Sequence, residues 1–219
     1  MRIIFALCLM LTTMAPPLAK ADLDATDRDE LNKVIEDFIR NNPEVVRDTL
    51  IALAAREEAE RKQTGLAKVR DDLGDPVMGN PNGKITLYEF SDYNCGYCKR
   101  VFEPIQQLLR DHPDVRLVIK EFPILSQSSL VAAKAAIATE MQGKFGAYHI
   151  AMMTYRGQIT DDVVMRLASQ AGVDEKQLKI DMESQRTAAI IKRTREAAAA
   201  LEINGTPGLV VGNTVVPGA

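Results

Sequence analysis

Asn94-Cys95-Gly96-Tyr97-Cys98-Lys99 sets two thiols two residues apart, and no other cysteine lies beyond the first twenty positions. Ile85 to Phe90 before the pair reads as a buried strand, and Val101 to Leu109 after it as a helix. The pair therefore falls where a strand hands the chain to a helix N-terminus. Backbone N–H groups and the helix dipole stabilise an anion there, and a thiolate is an anion. Cys95 is then a candidate nucleophile and Cys98 its resolving partner.

Three other chemistries use the same spacing. Zinc normally takes four ligands, but there is no second C-x-x-C, and His112 and His149 are the only histidines. A site shared between subunits stays open. Covalent haem wants a histidine after Cys98, where Lys99 stands. A purely structural disulfide closing so short a loop stabilises little. No metal and no organic cofactor is implied.

The compartment matters to this choice. Met1-Arg2 carries positive charge, and Ile3 to Met14 is an apolar run of signal-peptide length, too short to span a bilayer. Ala19-Lys20-Ala21 offers a cleavage site, so residues 1–21 are expected to be a removed signal peptide. An uncleaved anchor is the other reading. Cys8 leaves with that segment, and the mature chain keeps only Cys95 and Cys98. Export to the periplasm puts them where disulfides persist. The formal charge of −3 becomes more negative when Arg2 and Lys20 are lost, which gives no argument for nucleic acid as a partner.

Residues 22–72 read as an N-terminal helical arm. Leu31, Val34, Ile35, Phe38 and Ile39 recur at helical spacing, with Thr26 as the expected N-cap. Asn41-Asn42-Pro43 ends that helix, and Pro43 opens a second through Val46, Leu50 and Leu53. Arg56 to Lys62 is charged on all sides and reads as a solvated tether. Self-association through residues 22–62 is the favoured use of the arm, and packing on the main domain the other. Turn chemistry in Leu73–Pro76 and Gly79–Gly83 marks a domain boundary, with the main domain over 73–219.

Within that domain Val115 to Phe122 reads as a strand covered on both faces. Helices are expected over Ser129–Gln142, Phe145–Thr154, Asp161–Ala171, Glu175–Ser184 and Thr187–Leu201. Leu209–Val211 and Thr214–Val216 flank Gly212-Asn213 as a hairpin. The order is strand, helix, strand, helical block over about 126–203, hairpin: an α/β domain. A further helix is expected to cover the sheet beside the hairpin and is missing, leaving that face exposed.

Taken together, Glu89-Phe90-Ser91-Asp92-Tyr93-Asn94-Cys95-Gly96-Tyr97-Cys98, Asn204-Gly205-Thr206-Pro207 and the Gly79-Asn80-Pro81 approach resemble the DsbA-like branch of the thioredoxin superfamily. The likeness is strongest to its exported, ScsC-like and Com1-like members with a helical arm. The resemblance implies a thioredoxin fold with an inserted helical subdomain. It implies that Cys95 attacks, that Cys98 is the buried resolving thiol, and that the two form a redox-active disulfide. Pro207 would be a cis-proline facing them, and Thr206 would present backbone to an extended substrate. Glu89 would be a buried acid serving Cys98, and burial is what raises a carboxylate's pKa toward that task.

The Gly96-Tyr97 dipeptide resembles that of disulfide isomerases and lacks the histidine of strongly oxidising members. This favours an oligomeric protein-disulfide isomerase or reductase. A DsbA-like dithiol oxidase and a non-catalytic scaffold remain open. Expected partners are exported proteins with cysteines and a redox protein that resets the pair. His112 reads as a helix-terminal cation, and His149, beside Tyr148, Met152 and Met153, as core packing.

Overall fold

The structure is a computed structural model and describes residues 24–217. The signal peptide expected over 1–21 lies outside these. The chain divides into two compact units, one ending at Leu53 and the other beginning at Ala54.

In the first unit α1 spans Ala25–Asn41, capped by Asp24 rather than Thr26. The Asp24 carboxylate accepts the Asp27 N–H at 2.9 Å, an amide that Thr26, already inside the helix, cannot reach. Asn42 closes α1 by donating its side-chain amide to the Phe38 carbonyl at 2.7 Å. Pro43 then occupies the first position of α2, Pro43–Arg70. The stretch Arg56–Lys62 is exposed, as its charge pattern implies, and continues α2 as helix, with Arg56 paired to Glu60 one turn on. No residue of α1 is buried, so Leu31, Val34, Ile35, Phe38 and Ile39 all face solvent.

The second unit holds β1 (Val77–Gly79), β2 (Ile85–Ser91), α3 (Gly96–Asp111), β3 (Val115–Glu121), α4 (Gln127–Met141), α5 (Phe145–Thr154), α6 (Asp161–Gln170), α7 (Glu175–Met182), α8 (Gln185–Ala200), β4 (Gly208–Val211) and β5 (Thr214–Val216). The sheet runs β1-β3-β2-β4-β5. β2 and β3 are parallel, joined by the crossover helix α3, and the other pairings are antiparallel. β1, at the edge, is the strand that the turn-rich sequence around it conceals. It is three residues long, so no alternation can show, and its register with Val118–Arg116 makes it a strand.

Alternation sends successive residues of β2 and β3 to opposite faces. Leu87, Leu117 and Ile119 pack with Phe102 and Ile105 of α3 and with the helical block. Tyr88, Phe90, Val118 and Val210 pack with Leu66 and Val69 at the end of α2 and with Ala197, Ala198 and Leu201 around the end of α8. The sheet is thus covered on both faces. At the hairpin, Val211 and Val216 remain 44 % and 55 % exposed. Behind β3, the fully buried Lys120 donates to Asp75, whose same oxygen accepts from Arg193 at 2.8 Å. That triad ties the sheet to α8 and to the approach to β1.

Candidate active site

The dithiol sits where β2 gives way to α3. Cys95 is the N-cap of α3, and its Sγ accepts the N–H of Cys98 at 3.3 Å. Its thiol donates in turn to the carbonyl of Thr206 at 3.2 Å. Thr206-Pro207 is a cis peptide, and both residues are buried. Cys95 is 5 % exposed and Cys98 fully covered, and both are free thiols. The residues 111 positions apart in sequence are therefore brought into one contact. α3 runs on through Pro104 without a break.

Gly96 and Tyr97 form the outer lip. A Cβ at Gly96 would meet nothing within 4 Å, so the glycine leaves open space above the nucleophile. Tyr97 is 53 % exposed and carries the Arg100 guanidinium 3.9 Å from its ring centre. Lys99 turns away and donates to the Tyr155 carbonyl at the end of α5, at 2.9 Å, fastening α3 to the helical block.

Beneath the thiols the environment is dry and acidic. Glu89 shares a sheet face with Leu87 and Ser91 and is 3 % exposed. Burial raises its pKa to about 7, only partly offset by the nearby Ser91 hydroxyl. Burial likewise pushes the Cys98 thiol up to about 12, and the negative charge of Glu89 adds to this. An acid near neutrality thus lies beside a thiol that is reluctant to ionise.

Sequence reasoning did not reach a second polar cluster on this face. The Tyr93 hydroxyl donates to Glu121 at 3.0 Å and meets His149 Nδ1 at 2.9 Å. All three side chains are buried. Burial holds Glu121 well above the carboxylate range and lowers His149 to about 3. The signal was present: Lys120-Glu121 puts two charges inside a strand covered on both faces, where each must find a partner. His149 is core packing, as expected, but with a polar bond. His112 caps the C-terminus of α3. Among the described residues no cluster of histidine, cysteine, aspartate or glutamate could hold a metal ion.

A twisted mixed sheet, a dithiol at a helix N-terminus and a cis-proline loop against it define a thioredoxin-fold thiol-disulfide oxidoreductase. Residues 86–219 match the model of the DSBA-like thioredoxin domain, and the chain belongs to that family. It is 43 % identical to a thioredoxin-like oxidoreductase from Silicibacter pomeroyi DSS-3, with a TM-score of 0.66 over 69 % of this chain and 87 % of that one. Proteus mirabilis ScsC in a transitional conformation matches over 90 % of this chain and 92 % of its own, at 25 % identity and TM-score 0.66. The thiol-disulfide exchange protein alpha-DsbA2 from Wolbachia pipientis matches at 27 % identity and TM-score 0.67, over 75 % and 91 %. Among curated relatives, the Na(+)/H(+) antiporter NhaA 3 of Salinispora tropica is 27 % identical over 139 residues, 63 % of this chain and 21 % of that protein. The chain thus spans about a fifth of the length of the curated relatives it matches.

Proposed function

We propose that this chain is a periplasmic disulfide isomerase or reductase that works as an oligomer through residues 22–62. The observation that carries its thiol chemistry is the placement of Cys95 Sγ, held at the start of α3 by the Cys98 N–H and against the Thr206 carbonyl, above buried Glu89. The Cys95 thiolate attacks a substrate disulfide. One S–S bond breaks, a substrate sulfur leaves as thiolate, and a mixed disulfide forms. Glu89 takes the Cys98 proton, and the Cys98 thiolate attacks the Cys95 sulfur. The second substrate sulfur leaves, the substrate has gained two electrons, and Cys95–Cys98 is the disulfide. An isomerase instead lets a different substrate thiolate, not the one just released, attack the substrate sulfur of the mixed disulfide before Cys98 does; a new substrate disulfide forms, Cys95 leaves as thiolate and the protein is reduced again. A partner dithiol of more reducing potential resets the pair when it is oxidised.

The Thr206 backbone, Pro207 and the open space at Gly96 form the wall along which an extended substrate segment lies. The exposed apolar stripe on α1 and the first half of α2 supports the oligomer. Ile39, Pro43, Val46, Leu50 and Ile51 line one apolar groove there. The test is the reduction potential of Cys95–Cys98 together with refolding of a scrambled disulfide substrate. A reducing potential with unscrambling is expected. A strongly oxidising potential without unscrambling makes the protein a DsbA-like oxidase, and thiols inert to both assays make it a scaffold.

A further inference from the structure

Asp92 lies between the end of β2 and the dithiol and is 1 % exposed. One carboxylate oxygen accepts the Asn94 N–H at 2.8 Å. The other accepts two backbone donors from the loop after β3, Ile124 at 2.9 Å and Leu125 at 3.0 Å. Its own carbonyl accepts the Cys95 N–H at 2.9 Å. Its backbone N–H is directed at Cys98, where it favours the thiolate. A second set of bonds joins the same two segments: the Asn94 side-chain amide donates to the Ser126, Ser128 and Ser129 hydroxyls. So a single buried side chain fixes the turn that carries Cys95, while its backbone touches both cysteines.

Among the contacts described for this carboxylate there is no cation. Three backbone amides from two segments hold it, an arrangement that fixes position because each amide has one direction and each oxygen is used. We infer that Asp92 is a positioning residue, whose carboxylate locks the Asn94–Cys95 turn to the Ile124–Leu125 loop and so keeps Cys95 Sγ at the start of α3 and on the Thr206 carbonyl. The inference rests on the redox reading of Cys95 and Cys98.

The chemistry of the two oxygens sets a discriminating test. Asparagine has nearly the same shape, but it offers one acceptor and one NH2 donor. Whichever way it is flipped, an N–H of Asn94, or those of Ile124 and Leu125, meets another donor. Asp92→Asn therefore behaves like Asp92→Ala and does not rescue it. The measurements, on the full chain, are the glutathione equilibrium of Cys95–Cys98, the rate at which the reduced protein reacts with an aromatic disulfide probe at pH 7, and the far-UV melt. Expected for both variants is at least a tenfold fall in rate and at least a tenfold change in the equilibrium constant while the fold is kept. A folded Asp92→Asn that matches the parent within twofold in both overturns the inference. If neither variant folds, amide exchange in the parent decides. Protection of Asn94, Ile124 and Leu125 that changes together between the oxidised and reduced protein supports it, and protection independent of redox state overturns it. A parent that never equilibrates with glutathione overturns the redox reading and this inference together, whereas a normal parent with an indifferent variant removes only this one.

Discussion

Glu89 ionises against its own burial, and its cost to the fold depends on pH. Its folded value of about 7 lies above the ordinary 4.5. A raised carboxylate contributes stability that is fully present below about pH 4.5 and is lost as pH rises through 7. The shift corresponds to about 3 kcal/mol. Glu89→Gln removes this dependence, so the variant should gain about 3 kcal/mol relative to the parent between pH 4.5 and pH 7.5 in urea unfolding; parallel profiles would contradict the buried acid. The same variant should slow resolution of a mixed disulfide by roughly 10- to 100-fold in stopped flow, the usual worth of a positioned base. An unchanged rate would remove Glu89 from the proton path. His149 has the opposite sign: lowered to about 3, it contributes stability above pH 6.5 that is lost as pH falls toward 3. Cys95, Cys98, Glu89 and the Thr206-Pro207 pair were legible in the chain, because local spacing, an apolar flank and family resemblance mark them. Asp92, Glu121 and the Tyr93–His149 bond were not. They are defined by partners 28 to 56 residues away, which no local periodicity encodes.

At the scale of elements, two helical glycines set packing against propensity with opposite outcomes. Alanine is worth about 1 kcal/mol over glycine in a helix interior. At Gly146 in α5 a Cβ meets nothing within 4 Å, and Gly146→Ala should raise stability by up to that amount. At Gly65 in α2 the same Cβ would stand 2.7 Å from Leu201 and 3.0 Å from Ala200. Overpacking costs about 1–3 kcal/mol, so Gly65→Ala should be net destabilising by about 1 kcal/mol. Thermal melts of the two variants should move in opposite directions, and a shared upward shift would mean that α2 does not press on Leu201. The bounds of α4 to α8 were readable to within two residues; Ser126, Thr160, Asp174 and Ser184 cap α4, α6, α7 and α8 through the side chain, whereas α5 starts without such a cap. β1 was not readable, since pairing rather than pattern defines so short a strand. The sequence grouped α8 with α4 to α7 in one helical block, although Ala197 and Ala198 pack on the sheet with β2 and β3.

For the whole molecule, the arm's apolar stripe was plain in the sequence, but its periodicity says nothing about what covers it. Phe38 is 53 % exposed on α1. If the stripe joins copies of this chain, Phe38→Glu should reduce the assembly to monomers in sedimentation velocity, while each monomer still exchanges disulfides. A parent that sediments as a monomer would leave the arm without that role. Refolding of a scrambled substrate should fall more steeply than simple reduction, because only the former gains from paired dithiols.

The chain has five tyrosines and no tryptophan. Its near-ultraviolet absorption, fluorescence and circular dichroism therefore come chiefly from phenol rings. The hydroxyl of Tyr93, two residues from Cys95, is fixed between Glu121 and His149. A phenol bonded to a carboxyl group is dim in fluorescence, and one held in a rigid chiral setting is strong in near-ultraviolet dichroism. The ring that senses the active-site turn is thus also an optical label built into the native chain. The bonds that anchor its hydroxyl make Tyr93 the one of the five tyrosines whose signal is tied to that turn by Glu121 and His149.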